Sequence, residues 1–212
     1  YPERVRELLE DSLSDDEMSR VSIVECDNND TWARDHAFIT LVPVQDNDTK
    51  AAASDASGAE AGQALCRLLD FRFNGWGEKF AADKDNLINS TLYNKGVFHG
   101  ERVDYDDFVL EGGSIESDGR GTILTTSVCL MAPHRNQPMT REQVEQTLLE
   151  RLCARKIVWF DHGQLIGDDT DGHIDTIARL CPGNTVLYVG CDDDADPQYT
   201  DLKALEKQLR EA

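Results

Sequence analysis

Apolar and polar positions along the chain change period several times. Val21–Cys26 (VSIVEC) alternates with period two and predicts a strand. His36–Val44 predicts another, entered through Thr31–Asp35 (TWARD) and ended by Pro43. Further strands are predicted over Leu65–Phe73, Val103–Leu110, Gly121–Thr126 and the buried-type run Lys156–Phe160, then over His173–Cys181 and Thr185–Gly190. Helical spacing marks Tyr1–Asp11, with Pro2 early and Val5, Leu8 and Leu9 on one face. It is weak in Asp85–Asn94 and clearest in Thr140–Cys153, where Thr140 and Gln143 have capping-box spacing ahead of Val144, Leu148, Leu149 and Leu152. Ser14–Glu17 has the same capping spacing and predicts a turn or short helix, and Asp196 with Pro197 predicts the start of a last helix running to Arg210. Strands thus come in twos and threes between single helices, which fits an α/β chain built on a repeated β–β–α–β unit.

Gln45–Gln63 interrupts this order. It is rich in Asp, Ala, Ser and Gly and poor in aromatic and branched residues, so it reads as an exposed insertion within one 1–212 domain. A chain of 212 residues supports one sizeable core. No apolar run reaches the length of a membrane span, so no membrane partner is expected. The formal net charge of −20 argues against nucleic acid and favours a cationic ligand. Cys26, Cys66, Cys129, Cys153, Cys181 and Cys191 are scattered without C-x-x-C, the pattern of reduced cytoplasmic thiols with no zinc site.

Three polar clusters sit beside predicted strands. Gly167–Arg179 (GDDTDGHIDTIAR) places His173 and Asp175 two apart, on one face if the segment is extended. Its aspartate spacing does not fit a calcium loop. Trp32–Asp35 puts an acid between a tryptophan and an apolar run, where local pattern alone favours an Arg34–Asp35 surface pair capping the strand. Glu111–Gly112–Gly113 ends an apolar strand with a carboxylate and two glycines that permit close approach. Asn74–Lys79 (NGWGEK) predicts a bend presenting the Trp76 ring. Carboxylates, an imidazole and aromatic rings suit a planar cation such as a guanidinium, which two acids can clamp while a histidine handles protons. A nucleophile is the missing part, since none of the six cysteines adjoins a histidine or glycine-rich turn in sequence.

TWARD, FRFNGWGEKF (Phe71–Phe80), VLEGGSIESDG (Val109–Gly119), GTILTTSVCL (Gly121–Leu130), GDDTDGHIDTIARL and CDDDADPQYTDLKALEKQL (Cys191–Leu209) together resemble the successive signatures of the agmatine deiminase and bacterial, Porphyromonas-type peptidylarginine deiminase family. The resemblance implies a pentein-type α/β-propeller of five ββαβ units, about three of them covered here, with the chain incomplete at both ends. It also implies hydrolysis of a guanidinium group: agmatine to N-carbamoylputrescine and ammonia in putrescine and polyamine biosynthesis, or arginine to citrulline in the peptidylarginine branch. By that resemblance His173 is the general acid/base and Glu111 its orienting carboxylate. Asp35 and Asp175 grip the guanidinium, and Trp32 and Trp76 line the pocket. The expected partner is a small cationic guanidino substrate; no cofactor or metal is called for, and a homo-oligomer is compatible with such a chain. The family's nucleophilic cysteine lies in a G-G-x-x-H-C-like segment absent from these residues. A non-catalytic guanidinium- or polyamine-binding module is the alternative.

Overall fold

A computed structural model describes residues 2–43 and 66–212. The expected insertion at 45–63 lies outside the described residues. In chain order the elements are α1 (Pro2–Glu10), α2 (Asp15–Met18), α3 (Ala33–His36), β1 (Ile39–Leu41), β2 (Arg67–Arg72), α4 (Gly75–Glu78), α5 (Asp85–Asn94) and β3 (Glu101–Val109). A 3-10 turn (Gly112–Ser114) leads to β4 (Ile115–Ser117), β5 (Thr122–Thr126), α6 (Ser127–Leu130), α7 (Arg141–Arg151) and β6 (Lys156–Phe160). Then follow α8 (Ile174–Ile177), β7 (Ala178–Cys181), β8 (Thr185–Tyr188) and α9 (Tyr199–Glu211).

The repeat that the sequence pattern predicts is visible in the pairing. β1 runs antiparallel to β2 and β2 parallel to β3; β4, β5 and β6 repeat this arrangement. β7 and β8 pair antiparallel and are followed by α9. The described residues therefore hold two ββαβ units and the ββα of a third.

The pleat of the second sheet explains how the units stack. Ile123 and Ile157 belong to one buried cluster, with Leu69, Phe71 and the α7 residues Val144, Leu148 and Leu152. Their neighbours Leu124 and Phe160 belong to another, with Ile177, Leu202 and Leu205. Successive strand residues point to opposite faces, so both faces of this sheet are buried. α7 is thus held between the first and second sheets, and α9 covers the second sheet's other side. The Thr140–Gln143 capping box forms as the spacing predicts and fixes where α7 begins.

Four expectations shift. Val21–Cys26 pairs with no strand among the described residues. Its Ile23–Cys26 part instead lines a cleft of about 1070 Å³ with Lys84, Leu87, Thr91 and Lys95 of and around α5, and Lys95 Nζ donates to Glu25 O. Those positions lie on the helix face opposite Asn86, Asn89 and Tyr93, which face the first sheet and its connection. The alternation of VSIVEC is real, but a strand also needs a ladder partner. His36 ends α3, so β1 is limited to Ile39–Leu41. The segment from His173 is helical before it becomes β7, because Thr176 Oγ1 donates to His173 O (2.7 Å) and closes a turn. α9 begins at Tyr199, since Asp196 Oδ1 accepts from Gln198 N (2.7 Å) and keeps Pro197 in a preceding turn. No described helix is long and apolar enough to cross a membrane.

Candidate active site

Each unit is entered through one helical turn: α3, the Gly112–Ser114 turn and α8 stand immediately before β1, β4 and β7. The three turns meet, and they bring together residues distant in sequence. Asp35 is buried in α3, where Trp76 Nε1 donates to its Oδ2 (3.0 Å) and Gly113 N to its Oδ1 (3.1 Å). The Gly113 backbone lies at the centre. A methyl group added there would meet His173 Nδ1 at 2.4 Å, Asp35 Oδ1 at 2.8 Å and Asp175 Oδ2 at 3.0 Å. At Gly112 it would meet Arg34 O at 2.0 Å. The two glycines after Glu111 are therefore required by close packing of the turns.

His173 is 2% exposed and precedes α8. Its Nδ1 faces Asp35 Oδ1 (3.7 Å) and Asp175 Oδ1 (4.0 Å), and its Nε2 faces Glu111 Oε2 (3.4 Å). His173 and Asp175 do converge, on a helical turn rather than on one strand face. Asp175 is partly buried, with Arg34 Nε at 3.8 Å from its Oδ2. The surface Arg34–Asp35 pair does not form: Arg34 turns to Asp175 and Ile115 O, and Asp35 turns inward. Burial, reinforced by the charge of Asp35, raises the Asp175 carboxyl above the ordinary range against the opposing His173 and Arg34.

Behind His173, the expected Glu111 is joined by Arg135, Asp171 and Lys79, which the sequence reading did not single out. Glu111 is fully buried, and Arg135 Nε donates to it at 3.1 Å. Arg135 Nη1 donates to Asp171 Oδ2 (3.2 Å) and its Nη2 to Thr170 O (2.9 Å). Lys79 Nζ donates to the other Asp171 oxygen (2.6 Å). Asp168 shapes the same loop by accepting from Thr170 and Gly172 backbone N–H groups. The signal available in sequence was a lone cationic side chain in Pro133–Pro138, in an otherwise acidic chain, opposite an aspartate-rich loop.

Cys129 also joins this group, although no cysteine adjoins a histidine in sequence. Its Sγ lies 3.9 Å from Glu111 Oε2, and burial pushes its thiol well up. Glu111, Cys129 and His173 lie close enough to share an ion, but Arg135 already contacts both Glu111 and Cys129, so a cation would have to displace it. Trp76 is buried edge-on against Phe73 and Phe80, so it holds Asp35 instead of presenting a ring face. Trp32 is 57% exposed beside the turn.

The charges segregate. The Glu111–Asp171 side has Arg135 and Lys79, whereas Asp35 takes neutral donors and, among the described residues, no lysine or arginine ion pair. Asp35 and Asp175 both face His173 Nδ1, and of the two only Asp175 has an arginine near it.

Known proteins share this arrangement of chain. A provisionally named agmatine deiminase of Shewanella frigidimarina is 37% identical over 192 residues, covering 88% of this chain and 46% of the relative. A Porphyromonas gingivalis crystal structure described provisionally as an arginine deiminase superposes with TM-score 0.82 at 41% identity, over 98% of this chain and 56% of that one. A cysteine-to-serine variant of C. jejuni agmatine deiminase, solved with substrate bound, matches with TM-score 0.76 at 35% identity, over 92% and 53%. The chain spans about half the length of these relatives. With the ββαβ repeat, these neighbours make the fold pentein-type α/β. The model of the Porphyromonas-type peptidyl-arginine deiminases matches residues 2–212, and the chain belongs to that family.

Proposed function

We propose that the protein carrying this chain is an amidine hydrolase that converts agmatine to N-carbamoylputrescine and ammonia, in the cytoplasm and in the service of putrescine and polyamine synthesis. The observation that carries the reading is the convergence of Asp35 and Asp175 on His173 Nδ1, within 4.0 Å, around the Gly113 backbone. The two carboxylates grip the guanidinium nitrogens. His173, backed by Glu111 at Nε2, protonates the departing ammonia from Nδ1 and then activates water. Trp76 steadies Asp35, and the exposed Trp32 stands where a substrate chain leaves the site.

The nucleophile in this scheme is a cysteine thiolate that forms an amidino-cysteine intermediate. Cys129 does not fit that role, being 0% exposed with its thiol pushed up. We place the nucleophile in the half of the protein that the relatives possess beyond this match. The C. jejuni relative was trapped with substrate as a cysteine-to-serine variant, which supports a cysteine-dependent step. A net charge of −20 suits the free ammonium of agmatine. The peptidyl-arginine reading is kept as the second one because the matching family model carries that description.

Ammonia release by the natural gene product, measured with agmatine and with arginine-terminated peptides, tests the proposal. Faster turnover of agmatine supports it. Turnover confined to the peptides would replace it with the second reading, and guanidinium binding without turnover would leave a binding module.

A further inference from the structure

The buried group that the proposed chemistry does not use is Arg135. Its side chain is 0% exposed, and its guanidinium is committed to protein partners: Glu111 through Nε, Asp171 through Nη1, and Thr170 O through Nη2. The turn around Trp76 seals it from above, since a methyl group on Gly77 would lie 2.5 Å from Nη1. Lys79, from that same turn, holds the second oxygen of Asp171 and donates to Asp169 O (2.8 Å). Arg135 therefore touches the carboxylate behind His173 and the loop that delivers His173, with its own side chain buried.

We infer that Arg135 is a positioning residue for the guanidinium hydrolysis proposed above, holding Glu111 in place behind His173 and tying the Asp168–Gly172 loop to the α6–α7 connection. This inference rests on that functional reading. A fully buried carboxylate needs a cation or a proton. Among the described residues Arg135 is the only lysine or arginine paired with Glu111. Without it Glu111 loses that cationic partner and is no longer held against His173 Nε2. Asp35 and Asp175 face the other ring nitrogen of His173 and, on the proposed function, keep their grip on the substrate. The effect belongs to proton transfer and not to binding.

The test is steady-state kinetics of the natural gene product with Arg135→Met, Arg135→Lys, Glu111→Gln and the Arg135→Met/Glu111→Gln double variant. The expected result for Arg135→Met is a fall in kcat of about 10² or more, the usual scale of general acid–base catalysis, with KM within about threefold. The lysine variant should recover at least about a tenth of wild-type kcat, since it restores the charge without the fork. The double variant should be no worse than its weaker parent by more than about threefold, because both remove one interaction. An Arg135→Met enzyme with unchanged kcat, a change confined to KM, or effects that multiply in the double variant would overturn the inference. If the methionine variant does not fold, the lysine variant and Asp171→Asn carry the same comparison. The ring ¹⁵N spectrum of His173 provides a readout independent of turnover. Arg135→Met and Glu111→Gln should shift it alike and Arg135→Lys should not. A wild-type protein that releases no ammonia from any guanidine would defeat the functional proposal, while this spectrum would still decide the place of Arg135.

Discussion

Gly113→Ala tests the site more sharply than removal of any charged group. The backbone is not the obstacle, since the φ of Gly113 lies outside the left-handed region. The obstacle is space: the new methyl would stand 2.4 Å from His173 Nδ1, 2.8 Å from Asp35 Oδ1 and 3.0 Å from Asp175 Oδ2. Ordinary contact begins near 3.4 Å, so His173 must retreat by about 1 Å and the two carboxylates by about half that. Overpacking on this scale costs about 1–3 kcal/mol, which lowers the melting temperature by roughly 2–4 °C per kcal/mol in a chain of this size. Displacing a reacting group by about 1 Å costs about 10² in rate, and three groups move together here. The expected outcome is a folded protein, a few degrees less stable, whose kcat/KM for ammonia release falls by at least about 10². Gly190→Ala is the control, because its methyl would meet only the Tyr188 ring at 3.5 Å. A Gly113→Ala enzyme within about threefold of wild type would refute the claim that the three turns converge on one reacting centre.

Other perturbations separate the roles of individual groups. Asp175 has a raised carboxyl pKa in the folded chain, so folding favours its protonated form. The stability it contributes is full below the unfolded carboxylate pKa and lost as pH rises through the folded value. Asp175→Asn should therefore melt higher than wild type at pH 7, with the gap closing toward pH 4, while guanidinium binding disappears; a lower melting point at pH 7 would contradict the burial argument. Trp76→Phe removes one hydrogen bond to the buried Asp35, worth about 1.5–3 kcal/mol for a charged acceptor, so kcat/KM should drop about 10–100-fold, and an unchanged value would sever Trp76 from the site. Cys129→Ala should keep turnover within about tenfold, and the native thiol should resist iodoacetamide at pH 8. Loss of turnover by several orders of magnitude would instead make Cys129 the nucleophile.

What could be read from the sequence follows from how local each signal is. α7 announces itself through a capping box and an apolar stripe, and both are properties of one short segment. The site carboxylates were legible for a similar reason: Asp35, Glu111 and Asp175 stand in short polar interruptions between apolar runs. Val21–Cys26 shows the limit of such reading. Its alternation marks a surface able to pair, and pairing depends on a partner that local pattern does not contain. Cys129 shows the opposite failure. In sequence it sits in an apolar stretch, and only the fold sets Glu111, from the turn before β4, and His173, from the start of α8, beside it.

Arg135 was hidden for the same topological reason, and its position changes how the acidity of the chain is understood. A charge of −20 spread over a surface steers a cation toward the molecule but does not select a place on it. Selection requires carboxylates without their own cation beside carboxylates that have one. Glu111 and Asp171 are satisfied by Arg135 and Lys79, so a guanidinium gains little by approaching them. Asp35 is held by an indole and a backbone N–H, and Asp175 has only the partly exposed Arg34 at 3.8 Å. The carboxylates left with least compensation face His173 Nδ1, which is where the proposed function puts the substrate cation. On that proposal, placement of a few internal cations, more than the number of external acids, directs the ligand.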